Sequence, residues 1–209
     1  MKKYIKCIVA FLLLILTISG VIKLSPIFID GYNMYKDAIE EMSIEDKVEQ
    51  IRQQEGYVPI KDISPEFRKL VVSVEDHRFY WHFGLDLIAT GKAFLTNIKH
   101  NSIIAGGSTI TQQLAKNMYF TFEKKYERKV AELLVAFKLE WWLTKKEILE
   151  LYCNIVYFGN DCYGIKEAAK HYYGIQPDEI NKEQASALVK TLKSPNANNP
   201  NRLSQELVQ

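Results

Sequence analysis

The sequence is poor in cysteine and nearly balanced in charge, and both features exclude classes of protein. Only three of the 209 residues are cysteines, and none belongs to a CxxC pair or a cysteine–histidine cluster of the kind that binds zinc. The 27 basic and 25 acidic side chains leave a formal net charge of +2. Because no long basic run is present either, we expect no nucleic-acid partner. Any cationic function must therefore come from a local group of side chains.

Alternating strand patterns and internal repeats are also absent, as are the P-loop, the dinucleotide fingerprint and the residue orders of catalytic triads. What remains is helical periodicity, which predicts a mainly α fold. A hydrophobic content of 47% in 209 residues is enough for one globular domain and an anchor.

The first 24 residues resemble a membrane anchor. Three lysines precede an apolar run from Cys7 to Ile22, which is about long enough to span a bilayer. The lysines favour a cytoplasmic tip, so residues 1–24 are predicted to form a single-pass helix that leaves the rest of the chain outside the cytoplasmic membrane. A cleaved signal peptide is the alternative, although the Ala-x-Ala cleavage pattern is missing.

Residues 25–59 are predicted to be a packed connector in which Ser43 begins a helix, and residues 60–209 to be the main domain. Cys153 and Cys162 lie in that domain. An extracytoplasmic location would permit a disulfide between them, and two unpaired thiols are the equally acceptable alternative.

A helix that starts at Ser64 and Pro65 carries apolar residues at helical spacing and should place Glu75 in its last turn. The aromatic loop that follows is expected to give this carboxylate apolar surroundings. Further helices are predicted from Asp86 to about Lys99, from Ser108 as N-cap through Asn117, and from Glu123 to Leu143, the last being the longest. Additional starts are predicted at Thr144, at Ile165 and at Asn181.

The segment from Ser108 through Asn117 suggests chemistry. The exposed N–H groups of the turn after Ser108 would suit an anionic group, and the side chains around Gln112 and Gln113 are donors for hydroxyl and phosphate oxygens. The alternative without a catalytic role is that Glu75 lies at a solvated helix end and that Arg128 and Glu132 form an i,i+4 ion pair on a helix surface.

The order of the motifs is more informative than any one of them. Four blocks resemble those of the peptidoglycan glycosyltransferases of family 51, which include the transglycosylase domain of class A penicillin-binding proteins and monofunctional relatives. The blocks are Glu75-Asp76-x-x-Phe79-x-x-His82-x-Gly84, Gly107-x-Thr109-x-x-Gln112-Gln113-x-x-Lys116-Asn117, Arg128-Lys129-x-x-Glu132 and Lys145-x-x-Ile148-Leu149-Glu150-x-Tyr152-x-Asn154.

The resemblance implies a lysozyme-like helical fold with a head and a membrane-facing jaw at residues 84–107, acting on lipid II and the growing lipid-linked glycan. It implies Glu75 as general base and Glu132 as the second carboxylate, with Asp76, Phe79, His82 and Gly84 supporting the loop. The implied substrate-binding residues are Ser108, Thr109, Gln112, Gln113, Lys116, Asn117, Lys124, Arg128 and Lys129. No cofactor is obligatory, but a divalent cation (Mg or Mn) at the pyrophosphate, with Glu132 as a possible ligand, is compatible with this chemistry.

Three departures accompany the resemblance. Lys124 stands where many members have arginine, Cys153 replaces a leucine, and the block around Leu192 lacks a common proline. Since no second domain follows Pro200, a transpeptidase is not expected, and other cell-wall proteins are possible partners. The alternatives are a lysozyme-like glycan hydrolase or lytic transglycosylase, and a non-catalytic membrane-anchored scaffold.

Overall fold

The structure is a computed structural model that describes residues 2–102, 104–120, 126–195 and 198–201. The described chain forms α1 (Lys2–Glu41), α2 (Ile44–Arg52), α3 (Pro65–Glu75), α4 (Leu87–His100), α5 (Ile110–Tyr119), α6 (Tyr126–Trp142), α7 (Lys145–Ile155), α8 (Ile165–Tyr173) and α9 (Lys182–Lys193). Short 3-10 turns cover Ile60–Asp62, Phe79–Trp81 and Pro177–Glu179. Within the described residues the only β pairing is an isolated bridge between Tyr157 and Tyr163. The mainly α prediction is confirmed.

Helix starts were predicted well where a side chain caps the backbone. Thr144 and Asn181 both form reciprocal capping boxes, with Glu147 and Gln184 respectively. Ser64 makes no capping bond, since its hydroxyl donates instead to the carbonyl of Ile180 at 2.6 Å. The start of α3 is thereby fastened to the segment before α9.

The prediction that Ser108 caps the third helix was wrong by one residue. Thr109 is the N-cap of α5, and its hydroxyl accepts a bond from the backbone N–H of Gln112 at 3.1 Å. The amide of Gln112 returns the contact by accepting the backbone N–H of Thr109 at 3.0 Å. This shift leaves the side chain of Ser108 outside the helix.

Helix α1 is the feature that the sequence described least completely. It is one helix of 40 residues, longer than the 17 of α6, which was wrongly expected to be the longest. Its N-terminal part is long and apolar enough to cross a membrane, with a mean hydropathy of 2.2. Its C-terminal part packs on α6 so closely that a Cβ at Gly31 would lie 2.5 Å from that of Val130.

The contacts at the two ends of this packing show that α1 and α6 are antiparallel. Just beyond α1, the carbonyl of Ser43 accepts a bond from the hydroxyl of Tyr119, which precedes α6, at 3.1 Å. Gly31, further toward the N-terminus of α1, lies against the first turn and Val130 of α6. The apolar part of α1 therefore leaves the domain beside the C-terminal half of α6, where Trp141 is 80% exposed.

The core lies between α5, α6 and α7, with α3 and α9 packed beside it. Helix α7 also holds the preceding connector, because the amide of Asn154 bonds both the N–H and the carbonyl of Val58, at 2.7 and 2.9 Å. Cys153 and Cys162 are both buried and unpaired, so the structure contains two free thiols and no disulfide between them. Burial raises the pKa of the Cys153 thiol to about 12, which makes it unreactive near neutral pH.

Candidate active site

A cavity of about 580 Å³ brings the two predicted carboxylates together. Glu75 reaches it from the end of α3, and Glu132 from the second turn of α6. The other polar or charged residues of its wall are Ser108, Gln112, Gln113, Lys116, Lys129 and Lys193. Five of these six belong to the residues that the resemblance assigned to substrate binding.

One oxygen of Glu75 is hydrogen-bonded and the other is not. Its Oε2 accepts a bond from Nε2 of Gln113 at 3.0 Å, and Gln113 in turn accepts the hydroxyl of Tyr152 at 3.0 Å. Its Oε1 is shielded from solvent and has no hydrogen-bond partner among the described residues. A buried carboxylate oxygen without a donor is unfavourable by about 1–3 kcal/mol, so a ligand hydroxyl that reached this atom would be bound favourably.

Tyr152 fixes this arrangement from within the core. The side chain is fully buried, and burial, reinforced by the negative charge of Glu75, raises the pKa of Tyr152 well above its ordinary value. The phenol therefore stays protonated and donates to Gln113. That leaves the amide nitrogen of Gln113 directed at Glu75, so the amide orientation is not arbitrary.

Asp76 corrects one prediction about α5. Its carboxylate accepts a bond from the backbone N–H of Ile110, the first residue of α5, at 3.0 Å, and contacts Nε2 of His82 at 2.9 Å. The N-terminus that was expected to suit an anionic group thus has an anion from the protein itself. Asp76 therefore links His82 of the loop to the first residue of α5.

The aromatic loop does not surround Glu75 with apolar side chains, contrary to expectation. Phe79 is completely buried beneath the loop, whereas Trp81 is 88% exposed. Among the described residues, none of those that line the cavity is aromatic. The loop is instead fixed at Gly84, whose carbonyl accepts the hydroxyl of Thr109 at 2.8 Å. Thr109 therefore secures the loop rather than facing the cavity.

A cationic group lies across the cavity from Glu75. Nε of Arg128 is 2.8 Å and Nζ of Lys129 is 2.6 Å from the carboxylate of Glu132, which is 1% exposed. Nζ of Lys129 also donates to the hydroxyl of Ser108 at 3.1 Å. Lys116 belongs to the same group: burial lowers its pKa, the charge of Glu132 opposes that shift, and the neighbouring cations add to it. Three cations and one carboxylate leave this group with an excess of two positive charges.

Two predicted substrate-binding residues lie outside the wall of this cavity. Arg128 points to Glu132 and is not part of the cavity wall. Asn117 lines a different cavity, together with Lys47 and Asn154. Lys124 lies outside the described residues.

Sequence reasoning missed Glu140, which joins three elements behind the cavity. One oxygen of this carboxylate accepts the N–H of Gly84 at 3.1 Å, the hydroxyl of Thr111 at 2.6 Å and the ammonium of Lys145 at 2.6 Å. The side chain is 3% exposed. Lys145 also lies 4.5 Å above the ring of Phe79. No local pattern marks Glu140, because its partners come from three separate parts of the chain.

The residues do not fit a metal held by the protein. Both oxygens of Glu132 are already paired, one with Arg128 and one with Lys129. The described residues contain no group of three side chains of metal-ligating type. The expectation of a divalent cation at the pyrophosphate stays a prediction.

Comparison with known proteins agrees with this arrangement. Residues 43–209 match the family model described as Transglycosylase. The chain belongs to this transglycosylase family. It is 38% identical over 152 residues to a biosynthetic peptidoglycan transglycosylase of Herminiimonas arsenicoxydans, which covers 73% of this chain and 66% of the relative. The family resemblance noted from the four blocks is confirmed.

Two further relatives are similar to this chain. A biosynthetic peptidoglycan transglycosylase of Nitrosospira multiformis is 39% identical over 146 residues, which is 70% of this chain and 64% of the relative. Penicillin-binding protein 1A of Aquifex aeolicus is 41% identical over 148 residues, 71% of this chain but 20% of that protein. The chain thus spans about two thirds of the length of the two transglycosylases that it matches.

Proposed function

We propose that this transglycosylase-family chain is a peptidoglycan glycosyltransferase that polymerises lipid II into β-1,4-linked glycan strands and releases undecaprenyl pyrophosphate. The observation that carries the proposal is the buried, unpartnered oxygen of Glu75 in the same cavity as the cations around Glu132. One side of the cavity suits removal of a proton from a sugar hydroxyl, and the other suits departure of an anion.

In the proposed reaction, Oε1 of Glu75 accepts the proton of the 4-hydroxyl of the acceptor sugar. That oxygen attacks C1 of the lipid-linked donor from the face opposite to the pyrophosphate, so the configuration at C1 inverts. The new C1–O4 bond forms as the bond from C1 to the phosphate oxygen breaks, and its electrons leave with the pyrophosphate. A general base in this position contributes about 10²–10⁴-fold to a rate.

The cations stabilise the charge that develops on the leaving group. Lys129 is half exposed and faces the cavity, while Glu132 holds it in place at 2.6 Å. Lys116 completes the positive wall. We propose that Glu132 acts by positioning these cations. Fixed charges of this kind stabilise a transition state well because they need no reorganisation during the reaction.

Membrane attachment through α1 and contact of α4 with lipid are part of the proposal. The supporting observation is the apolar surface of α4, on which Leu87 is 74%, Phe94 64% and Leu95 67% exposed. An exposed surface of this size commonly marks a membrane or protein contact. We infer that the catalytic cavity faces the outer side of the cytoplasmic membrane, where its lipid substrate is presented.

The test is polymerisation of labelled lipid II by the detergent-solubilised chain, with Glu75→Gln as the variant. We expect a rate loss of about 10²-fold or more. Glu66→Gln removes an exposed acid from the first turn of the same helix and should leave the rate unchanged.

Equal rates for Glu75→Gln and the unmodified chain would contradict the assignment of the base. A folded chain that makes no polymer but cleaves finished glycan would favour the hydrolase alternative. Inactivity in both assays would favour the scaffold alternative.

A further inference from the structure

A second cavity, of about 610 Å³, lies between α3, the Phe79–Trp81 turn and the start of α7. No carboxylate is part of its wall among the described residues, whereas four basic side chains are: Arg68, Lys69, His77 and Lys146. The remaining wall is mostly apolar and includes Ile60, Val72, Leu149 and the ring of Tyr80. The cavity therefore combines several positive charges with an apolar lining.

These cations differ from those of the catalytic cavity in having no acidic partner. Arg128 and Lys129 share Glu132, but none of the four basic residues here has a carboxylate within ion-pair distance among the described residues. Nε of Arg68 is shielded from solvent and has no hydrogen-bond partner there. A shielded guanidinium donor without an acceptor is costly, so the cavity is complementary to an anion that the described protein does not supply.

The position of the cavity indicates where that anion comes from. Lys146 lies in the first turn of α7, just after Trp141 and Trp142. This is the end of α6 beside which the apolar part of α1 leaves the domain. On the other side of the cavity, Tyr80 is 60% and Trp81 88% exposed. Exposed tryptophans such as Trp141 and Trp142, at the end of α6 beside which the apolar helix leaves the domain, are typical of the membrane–water interface, which is also the level of lipid phosphate groups.

We propose that this second cavity binds the phosphate group of a membrane lipid, with the basic residues on the oxygens and the apolar wall along the adjoining carbon chain. Planar Arg68 suits two phosphate oxygens at once, and Lys146 adds a mobile point charge. The cavity shares no lining residue with the catalytic cavity. Arg68 nevertheless lies seven residues before Glu75 on α3, about 10 Å away along one helix face.

Two lipid sources share this chemistry. One is an anionic phospholipid of the bilayer. The other, which rests on the proposed function, is the acceptor lipid substrate, whose sugar would reach Glu75 while its own phosphate lies in this cavity.

The first arm of the test measures binding of dioctanoylphosphatidylglycerol to the detergent-solubilised full chain by calorimetric titration, with dioctanoylphosphatidylcholine as the neutral comparison. The variant is Arg68→Gln with Lys146→Gln. Lys170→Gln with Lys190→Gln, on exposed surfaces of α8 and α9, removes the same charge elsewhere. Loss of a charge-assisted hydrogen bond predicts binding weakened about tenfold or more in the first pair and unchanged in the second.

The second arm measures lipid II polymerisation in zwitterionic nanodiscs. If the acceptor substrate is the source, KM rises about tenfold or more while kcat stays constant. If a phospholipid is the source, KM is unchanged and the titration alone responds. Should Arg68→Gln unfold the chain, Lys69→Gln with Lys146→Gln replaces two exposed cations and serves as the second variant.

The proposal is overturned if neither arm distinguishes the cavity variant from the surface variant. If the unmodified chain makes no polymer, the proposed function is refuted. The lipid titration alone then tests whether the second cavity binds a lipid phosphate. In that case equal phosphatidylglycerol affinity in both variants overturns it.

Discussion

Replacing Glu140 by glutamine should destabilise the fold more than any loss of a surface ion pair. The change keeps the size of the side chain but removes the charge that Lys145 contacts at 2.6 Å, and Glu140 is 3% exposed. Breaking a buried pair from one side costs about 3–5 kcal/mol, because an uncompensated charge remains. Lys145 keeps 20% exposure, so we expect the lower value, about 3 kcal/mol.

For a chain of this size, about 3 kcal/mol corresponds to a fall in Tm of roughly 6–12 °C. The measurement is thermal unfolding of the detergent-solubilised chain by near-ultraviolet circular dichroism. Glu40→Gln is the matched control, since it breaks the pair with Lys36, in which both side chains are more than half exposed. Such pairs contribute about 1 kcal/mol or less.

A second substitution should compensate for part of this loss. Lys145→Met removes the charge that Glu140→Gln leaves behind, so the double variant should recover part of the lost Tm. A Tm for Glu140→Gln no lower than that of Glu40→Gln would refute the three-donor arrangement around Glu140. An equal loss in the double variant would refute the electrostatic explanation while leaving a packing role.

Three further predictions concern the site, the pH dependence and the anchor. Tyr152→Phe removes the hydroxyl that orients the amide of Gln113 beside Glu75, the proposed base, so kcat/KM for labelled lipid II should fall about tenfold; an unchanged value would contradict that role. Burial alone would raise the pKa of Asp86, but hydrogen bonds from Ala89 and Arg78 and the positive charge of Arg78 outweigh burial and hold this pKa below its ordinary value. Its contribution to stability is therefore present above about pH 4 and lost as the pH falls through the folded pKa. The difference in Tm between Asp86→Asn and the unmodified chain should accordingly decrease as the pH is lowered from about 6 to about 3. A constant gap would refute the assignment. Gly31→Val should cost about 1–3 kcal/mol because its Cβ would lie 2.7 Å from a backbone oxygen of α6, whereas Gly20→Val, with nothing within 4 Å, should have little effect in thermal unfolding.

Local chemistry explains which parts of the fold were predictable. The start of α7 at Thr144 and of α9 at Asn181 follow from capping boxes that lie within four consecutive residues. Glu75 was placed correctly in the last turn of α3 because the apolar spacing of that helix is complete in itself. Such features need no knowledge of distant residues.

Features that depend on tertiary contacts were not predictable in the same way. The occupant of the α5 N-terminus is Asp76, which reaches Ile110 only once the intervening loop and α4 have folded. Glu140 collects donors from three elements, and nothing near it in the sequence announces them. That Glu75 and Glu132 share one cavity followed from the family resemblance and not from spacing.

The uninterrupted course of α1 has a mechanical consequence. Because the apolar segment that could cross a membrane and the segment that packs on α6 are one helix, the direction of the first restricts the orientation of the domain. Pro26 lies inside this helix and has no backbone N–H, so one helical hydrogen bond is missing there. This position lies between the apolar segment and Gly31, so any bend between the proposed anchor and the domain is expected at Pro26, and that bend would set the distance of the cavity from the membrane.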